Sequence, residues 1–190
     1  MPDKIPGGIT VKSFVEIRGF LEQILKELER TGAKRVVTRL NSSDSTKPAP
    51  YFVGIVEDSE LVKKRTARNE PDAGLFRFGD DNPSKVYNET VSNPTGKMIR
   101  RNWRGKDYAE KSGNAKALGH EAGCDYQRFI AIQVPAGDGK CQHVGTITVS
   151  FKNNSASPQV ESIMKKWAQN PNSQFVKYLT ANFILNGPKF

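Results

Sequence analysis

From Val11 to Arg30 the chain reads VKSFVEIRGFLEQILKELER, and Val11, Phe14, Val15, Ile17, Leu21, Ile24, Leu25 and Leu28 recur at helical spacing. This pattern predicts one long amphipathic helix, capped by Thr10 and stopped by Gly32. The period then changes. KRVVTRL (34–40) and YFVGIVE (51–57) are rich in β-branched and aromatic residues and predict two strands, joined by the polar, proline-bearing NSSDSTKPAP. RFIAIQV (128–134) and HVGTITVSF (143–151) predict a second pair around PAGDGKCQ, the strongest hairpin signal in the chain. Helical spacing returns at Val160, Ile163, Met164 and Trp167, then at Phe175, Val176 and Leu179. A final helical region is therefore expected from Pro158 to about Leu185, broken or kinked at Pro171.

Between the strand pairs the pattern weakens. Residues 58–82 read as a charged, irregular insertion. Asn82-Pro83 has the form of a helix start, running through SKVYNETV to a stop before Pro94, and SGNAKALGHEAG predicts a short helix ended by Gly123. The order is helix, two strands, helical excursion, two strands, helix. Adjacent strand pairs favour an α+β domain with a central antiparallel sheet flanked by N- and C-terminal helices. One domain over 1–190 is expected, with residues 1–10 as a tail.

Composition narrows the class. The chain has 190 residues and an apolar fraction of 36%; its mean hydropathy is −0.59. No run approaches the roughly 20 apolar residues that span a bilayer. The first residues lack the apolar core of a signal peptide, so cytoplasm is the expected compartment. Cys124 and Cys141 make no disulfide framework or zinc motif, and both are expected as free thiols.

The net charge is +9, from 29 basic and 20 acidic residues. The densest basic stretch is IRRNWRGKDYAEK (99–111), where Arg100, Arg101, Arg104, Lys106 and Lys111 surround Trp103 and Tyr108. Three readings stay open for segment 97–111: a nucleic-acid contact with stacking faces, an anion contact, and a solvated face with arginine stems over apolar surface.

TGKMIRRNWRGKDYAE followed by RFIAIQVPAGDGKCQHVGTITVSF resembles the GAF domain family. The resemblance is carried by Gly96, Met98-Ile99, Gly105, the strand Phe129 to Val134, Pro135, and Gly145 to Val149. It implies a regulatory or sensory module that binds a small ligand, anionic ones included, rather than an enzyme. It places the pocket between the sheet and residues 83–123, lined by Trp103, Tyr108, His120, Cys124, Arg128 and Phe129. The aromatics would supply apolar wall, with Arg128 or His120 as polar anchors. No cofactor is implied, and the ligand's identity is left open. The chain lacks a cyclic-nucleotide signature, and it lacks the Cys-His pair of bilin-attaching members.

Other chemistry is thinner. His120 and Cys124 are four apart, a spacing that can hold a metal, but two ligands alone complete no site unless Glu121 or His143 joins them. Cys124 with His120 as base would make a thiol enzyme, against which stands the ordinary buried thiol. PAGDGK lacks the strand-to-helix context of a phosphate loop and reads as a turn. The breadth of the 11–30 stripe, with that of the C-terminal segment, suggests a homodimer through the terminal helices, against simple coverage of one subunit's own sheet.

Overall fold

The computed structural model describes residues 11–42, 44, 46, 49–67, 76–78, 85–102, 124–153 and 158–190. Helix α1 (Val11–Leu28) is followed by a 3-10 turn at Glu29–Thr31. Gly32 then adopts φ 84°, the left-handed conformation that ends helices and suits glycine. Strand β1 (Ala33–Leu40) pairs antiparallel with β2 (Phe52–Glu57), so the first predicted hairpin is present. Strands β5 (Tyr126–Gly137) and β6 (Lys140–Phe151) form the second. They run further into PAGDGKCQ than the sequence pattern suggests. Gly137 pairs with Lys140 across Asp138 (φ 52°) and Gly139 (φ 72°), a two-residue Asp-Gly turn that matches strand twist.

β1 also pairs antiparallel with β6, which joins the two hairpins into one sheet. The described residues give a six-stranded sheet in the order β3-β2-β1-β6-β5-β4. Strand β3 (Phe76–Phe78) edges β2, and β4 (Ile99–Asn102) edges β5. Gly145 stands where β6 meets Leu40. A Cβ there would lie 1.9 Å from the Arg39 carbonyl oxygen, so only glycine permits this strand spacing.

Helix α1 covers one face of the sheet together with α4 (Pro158–Ala168) and α5 (Gln174–Asn182). Phe14, Ile17, Leu21, Ile24, Leu25 and Leu28 pack with Val36, Leu40, Phe52, Val56, Ile130, Ile132, Ile147, Val149 and Phe151 in one core. Phe20 completes the helix layer against Trp167, Phe175 and Tyr178, at ring separations of 6.5, 5.6 and 5.3 Å. The broad stripe of α1 is thus used within one subunit. Val15, predicted to join it, is 66% exposed.

Three further expectations change. The 58–82 insertion contains helix α2 (Ser59–Ala67) and strand β3. α2 has no apolar stripe, and its start is fixed by Asp58, whose carboxylate accepts from Leu61 N at 2.9 Å. Residues 99–102, read as part of a basic segment, form edge strand β4. The C-terminal helix ends at Asn182, and residues beyond it run extended to pair with β6. As expected, Pro171 marks the break between α4 and α5, and Ser173 caps α5 by accepting from Val176 N at 3.1 Å. The stretch predicted helical between 112 and 123 lies outside the described residues.

Candidate functional site on the second sheet face

Side chains alternate across a strand, so register alone assigns the face opposite the terminal helices. Three rows of residues cross it. Glu57, Arg35, Ser150, Gln127 and Arg101 form the first; Ile55, Val37, Thr148, Phe129 and Ile99 the second; Val53, Arg39, Thr146 and Ala131 the third. An apolar belt lies between two polar rows. The sequence TITVS in β6 puts Thr146, Thr148 and Ser150 on this face and Ile147 and Val149 on the other, so β6 contributes one hydroxyl to each row.

Arg35, Gln127, Ser150 and Thr146 in the polar rows are buried. Arg35 and Glu57 form an ion pair with both side chains withdrawn from solvent, and Arg35 Nε donates to Glu57 Oε1 at 2.6 Å. Gln127 Nε2 donates to Ser150 Oγ at 3.0 Å. Half-buried Arg39 reaches Thr148 Oγ1 at 3.4 Å. The hydroxyl oxygen of Thr146 is buried with no hydrogen-bond partner among the described residues. Buried polar groups are costly unless satisfied, so this face differs in character from an ordinary apolar core.

Helix α3 (Lys85–Val91) lies over part of this face. Its Val86 packs with Phe129 and Ile99. Its Tyr87 hydroxyl donates to Asn41 Oδ1, just beyond β1. At its end the Val91 carbonyl accepts from His143 Nδ1 at 2.8 Å. His143 Nε2 therefore accepts from Gln133 Nε2, at 3.0 Å, which fixes one neutral tautomer. Burial pushes the His143 pKa below its ordinary value, and the bond to Val91 opposes that only in part.

Of the six residues expected to line a pocket, Cys124, Arg128 and Phe129 are described; Trp103, Tyr108 and His120 lie outside the described residues. Phe129 stands in the apolar belt. Arg128, next to it, faces the terminal helices: its guanidinium sits 5.9 Å from the Phe151 ring and donates to the Gln127 carbonyl at 3.0 Å. Arg128 and Phe129 cannot line one pocket, because adjacent strand residues point apart. Burial lowers the Arg128 pKa, helped by nearby Arg100. Sequence reasoning missed Arg35, Arg39 and Thr146, although two-residue alternation from Phe129 through the hairpin register would have found Thr146.

Cys124 is fully buried. Burial raises its thiol pKa, while Arg35 pulls the other way. It is a protonated, enclosed thiol rather than an exposed nucleophile. Both cysteines are free. Cys124 precedes the start of β5, whereas His143 and Cys141 pair near its far end, about 30 Å along the strand. His143 thus joins no metal site with Cys124, and no metal-binding cluster occurs among the described residues. In the described part of the basic segment, Arg100 pairs with Glu161 at 3.5 Å and Arg101 with Glu89. These two arginines lie on opposite faces of β4, so they build no shared basic surface. No described helix is long and apolar enough to cross a membrane.

No family model matches the chain, and no curated protein does. Solved structures do. A far-red cyanobacteriochrome photoreceptor is 9% identical with a TM-score of 0.52, over 92% of this chain and 88% of that one. The chromophore-binding domain of a Stigmatella aurantiaca bacteriophytochrome is 13% identical with a TM-score of 0.43, over 95% of this chain and 64% of that one. The second score carries no argument. The first is a likeness of fold, and the fold is GAF-like: a central antiparallel sheet with flanking terminal helices.

Proposed function

We propose that this chain is a sensory or regulatory module that holds a small ligand on the sheet face opposite its terminal helices, beneath α3. One observation carries the reading: the buried polar rows around an apolar belt, with the Thr146 hydroxyl enclosed and lacking a described partner. The other face is largely apolar, with buried Thr38 and Arg128 as its polar residues, as suits a face used for packing. Half-buried Arg39 lies beside Thr146 in that row and adds a polar group to it. The photoreceptor likeness supports the fold and leaves the ligand open. Trp103, Tyr108 and His120 stay in the proposal as wall residues from segment 83–123, and Arg128 leaves it.

Native mass spectrometry of the gently purified full chain tests this. A bound small molecule that is released on denaturation is expected. A chain that leaves purification as bare protein, and gains no mass from a panel of small organic acids, overturns the reading.

A homodimer through the terminal helices would have to use the outward side of α1, where Val15 is exposed. Sedimentation at micromolar concentration decides it, and a monomer there removes the dimer.

A further inference from the structure

Beyond Asn182 the chain does not leave the domain. It returns to β6 where β1 has ended. Cys141 N donates to the Phe190 carbonyl at 3.1 Å, Phe190 N to the Cys141 carbonyl at 2.9 Å, and His143 N to the Pro188 carbonyl at 2.9 Å. Gln142 and Lys189 pair between them. Gln142 Nε2 adds a bond to the Gly187 carbonyl at 3.0 Å. Phe183 and Leu185 pack against the core ahead of this strand, while Ile184 is 81% exposed and Asn186, Pro188 and Lys189 are exposed.

Two buried residues touch both this strand and α3, each with a different group. Asn41 accepts from the Tyr87 hydroxyl at its side-chain oxygen and donates from its side-chain nitrogen to the Asn186 carbonyl at 3.0 Å. His143 donates from its ring to the Val91 carbonyl at the end of α3, while its backbone N–H holds Pro188. Its ring also lies 4.7 Å from that of Phe190. Gly187 seats against the same residue so closely that a Cβ there would lie 1.8 Å from the His143 carbonyl oxygen.

From this geometry we infer that α3 and the terminal strand form one two-state element, docked or released together through Asn41 and His143. If α3 shifts, Asn41 loses the donor at its oxygen and His143 loses the acceptor for its ring N–H. Both are buried groups that must find new partners or open to water. Turning the Asn41 amide breaks its bond to Asn186, and turning the His143 ring breaks its packing on Phe190. The strand is where such a change shows, because its residues 186–190 form a short, largely exposed edge pairing. By linkage the effect is reciprocal: release of the strand loosens α3 by the same free energy. The coupling stands whether or not a ligand sits beneath α3. If one does, ligand binding would be read out at the terminal strand.

Hydrogen exchange of the full chain, read amide by amide by NMR, tests it from both ends. Tyr87→Phe removes one hydroxyl on α3 and changes no residue of the strand. Exchange of the Phe190, His143 and Cys141 amides is expected to rise about tenfold, with the β1–β6 amides unchanged. Gly187→Ala dislodges the strand directly, and a matching rise is expected at Thr90 and Val91. Unchanged strand exchange in Tyr87→Phe overturns the coupling, as does unchanged α3 exchange in Gly187→Ala. A uniform rise across the whole sheet also overturns it, since that would report global destabilisation.

Discussion

Thr146 and Ile147 are neighbours in β6 that end on opposite faces of the sheet, and their surroundings obey different rules. Around Ile147 everything that matters is apolar area: α1, α4 and α5 close over it, and Thr38 and Arg128 are the polar exceptions. Around Thr146 the side chains alternate between arginine, hydroxyl, amide and aliphatic in rows set by register. The first face stabilises the fold by removing carbon from water, at about 25 cal/mol per Å². The second buries groups that water would solvate better, and is stable only where partners are supplied. One face is thus an apolar core, and the other is a buried face that mixes polar and apolar side chains.

The largest difference between them should appear when charge is removed from one partner. Glu57→Gln leaves Arg35 charged and buried, and a loss of about 3–5 kcal/mol in urea unfolding is expected. Leu21→Ala, on the helix face, should cost about 2–5 kcal/mol through cavity formation while leaving ligand retention intact. Should Leu21→Ala abolish retention at a temperature where the chain is folded, the division of labour between the faces is wrong.

His143 sharpens the same contrast through pH. Its folded pKa lies below the unfolded value of about 6.5, so the unfolded chain binds the extra proton first as pH falls. Its contribution is complete above about pH 6.5 and is lost progressively below it, toward the depressed folded value. Stability should therefore fall as pH drops below about 6.5, and His143→Gln should flatten that slope. Glu60 titrates far from this window. Lys152, Lys64 and Lys34 hold its pKa at about 2, and it is exposed, so Glu60→Gln should leave the urea midpoint unchanged in high salt.

Much of this architecture was legible in the residues. The α1 stripe, the two hairpins and the Pro171 break all follow from spacing, because burial on one side forces a period. Val15 escaped that logic: a wide stripe does not say where the packed arc ends. Helix α2 and strand β3 were hidden because α2 depends on a cap and charge pairs, and β3 on pairing with β2 over three residues. Residues 183–185 were read as the end of the helix, and the terminal strand beyond them was not foreseen, because nothing local marks an extended segment bonded to distant β6 and Asn41. The site was less legible for a plainer reason. Arg35, Arg39 and Thr146 meet only once β1 pairs with β6, across more than 100 residues of chain, and the sequence pattern set the hairpins without their order. Arg128 was attractive as a cation beside Phe129, and the same adjacency puts it on the wrong face.

The most direct test sets the two neighbours against each other in one assay. Thr146→Val and Ile147→Val are each near-isosteric or one methylene smaller, and they sit on successive residues of one strand. For Thr146→Val, stability is expected unchanged or raised by up to about 1 kcal/mol, since an enclosed hydroxyl is replaced by a methyl group. The small molecule retained in native mass spectrometry should be lost. For Ile147→Val, stability should fall by about 0.5–1.5 kcal/mol with the retained molecule unchanged. If Thr146→Val retains the molecule as fully as the parent chain, or Ile147→Val is the variant that loses it, the ligand-holding face has been assigned wrongly.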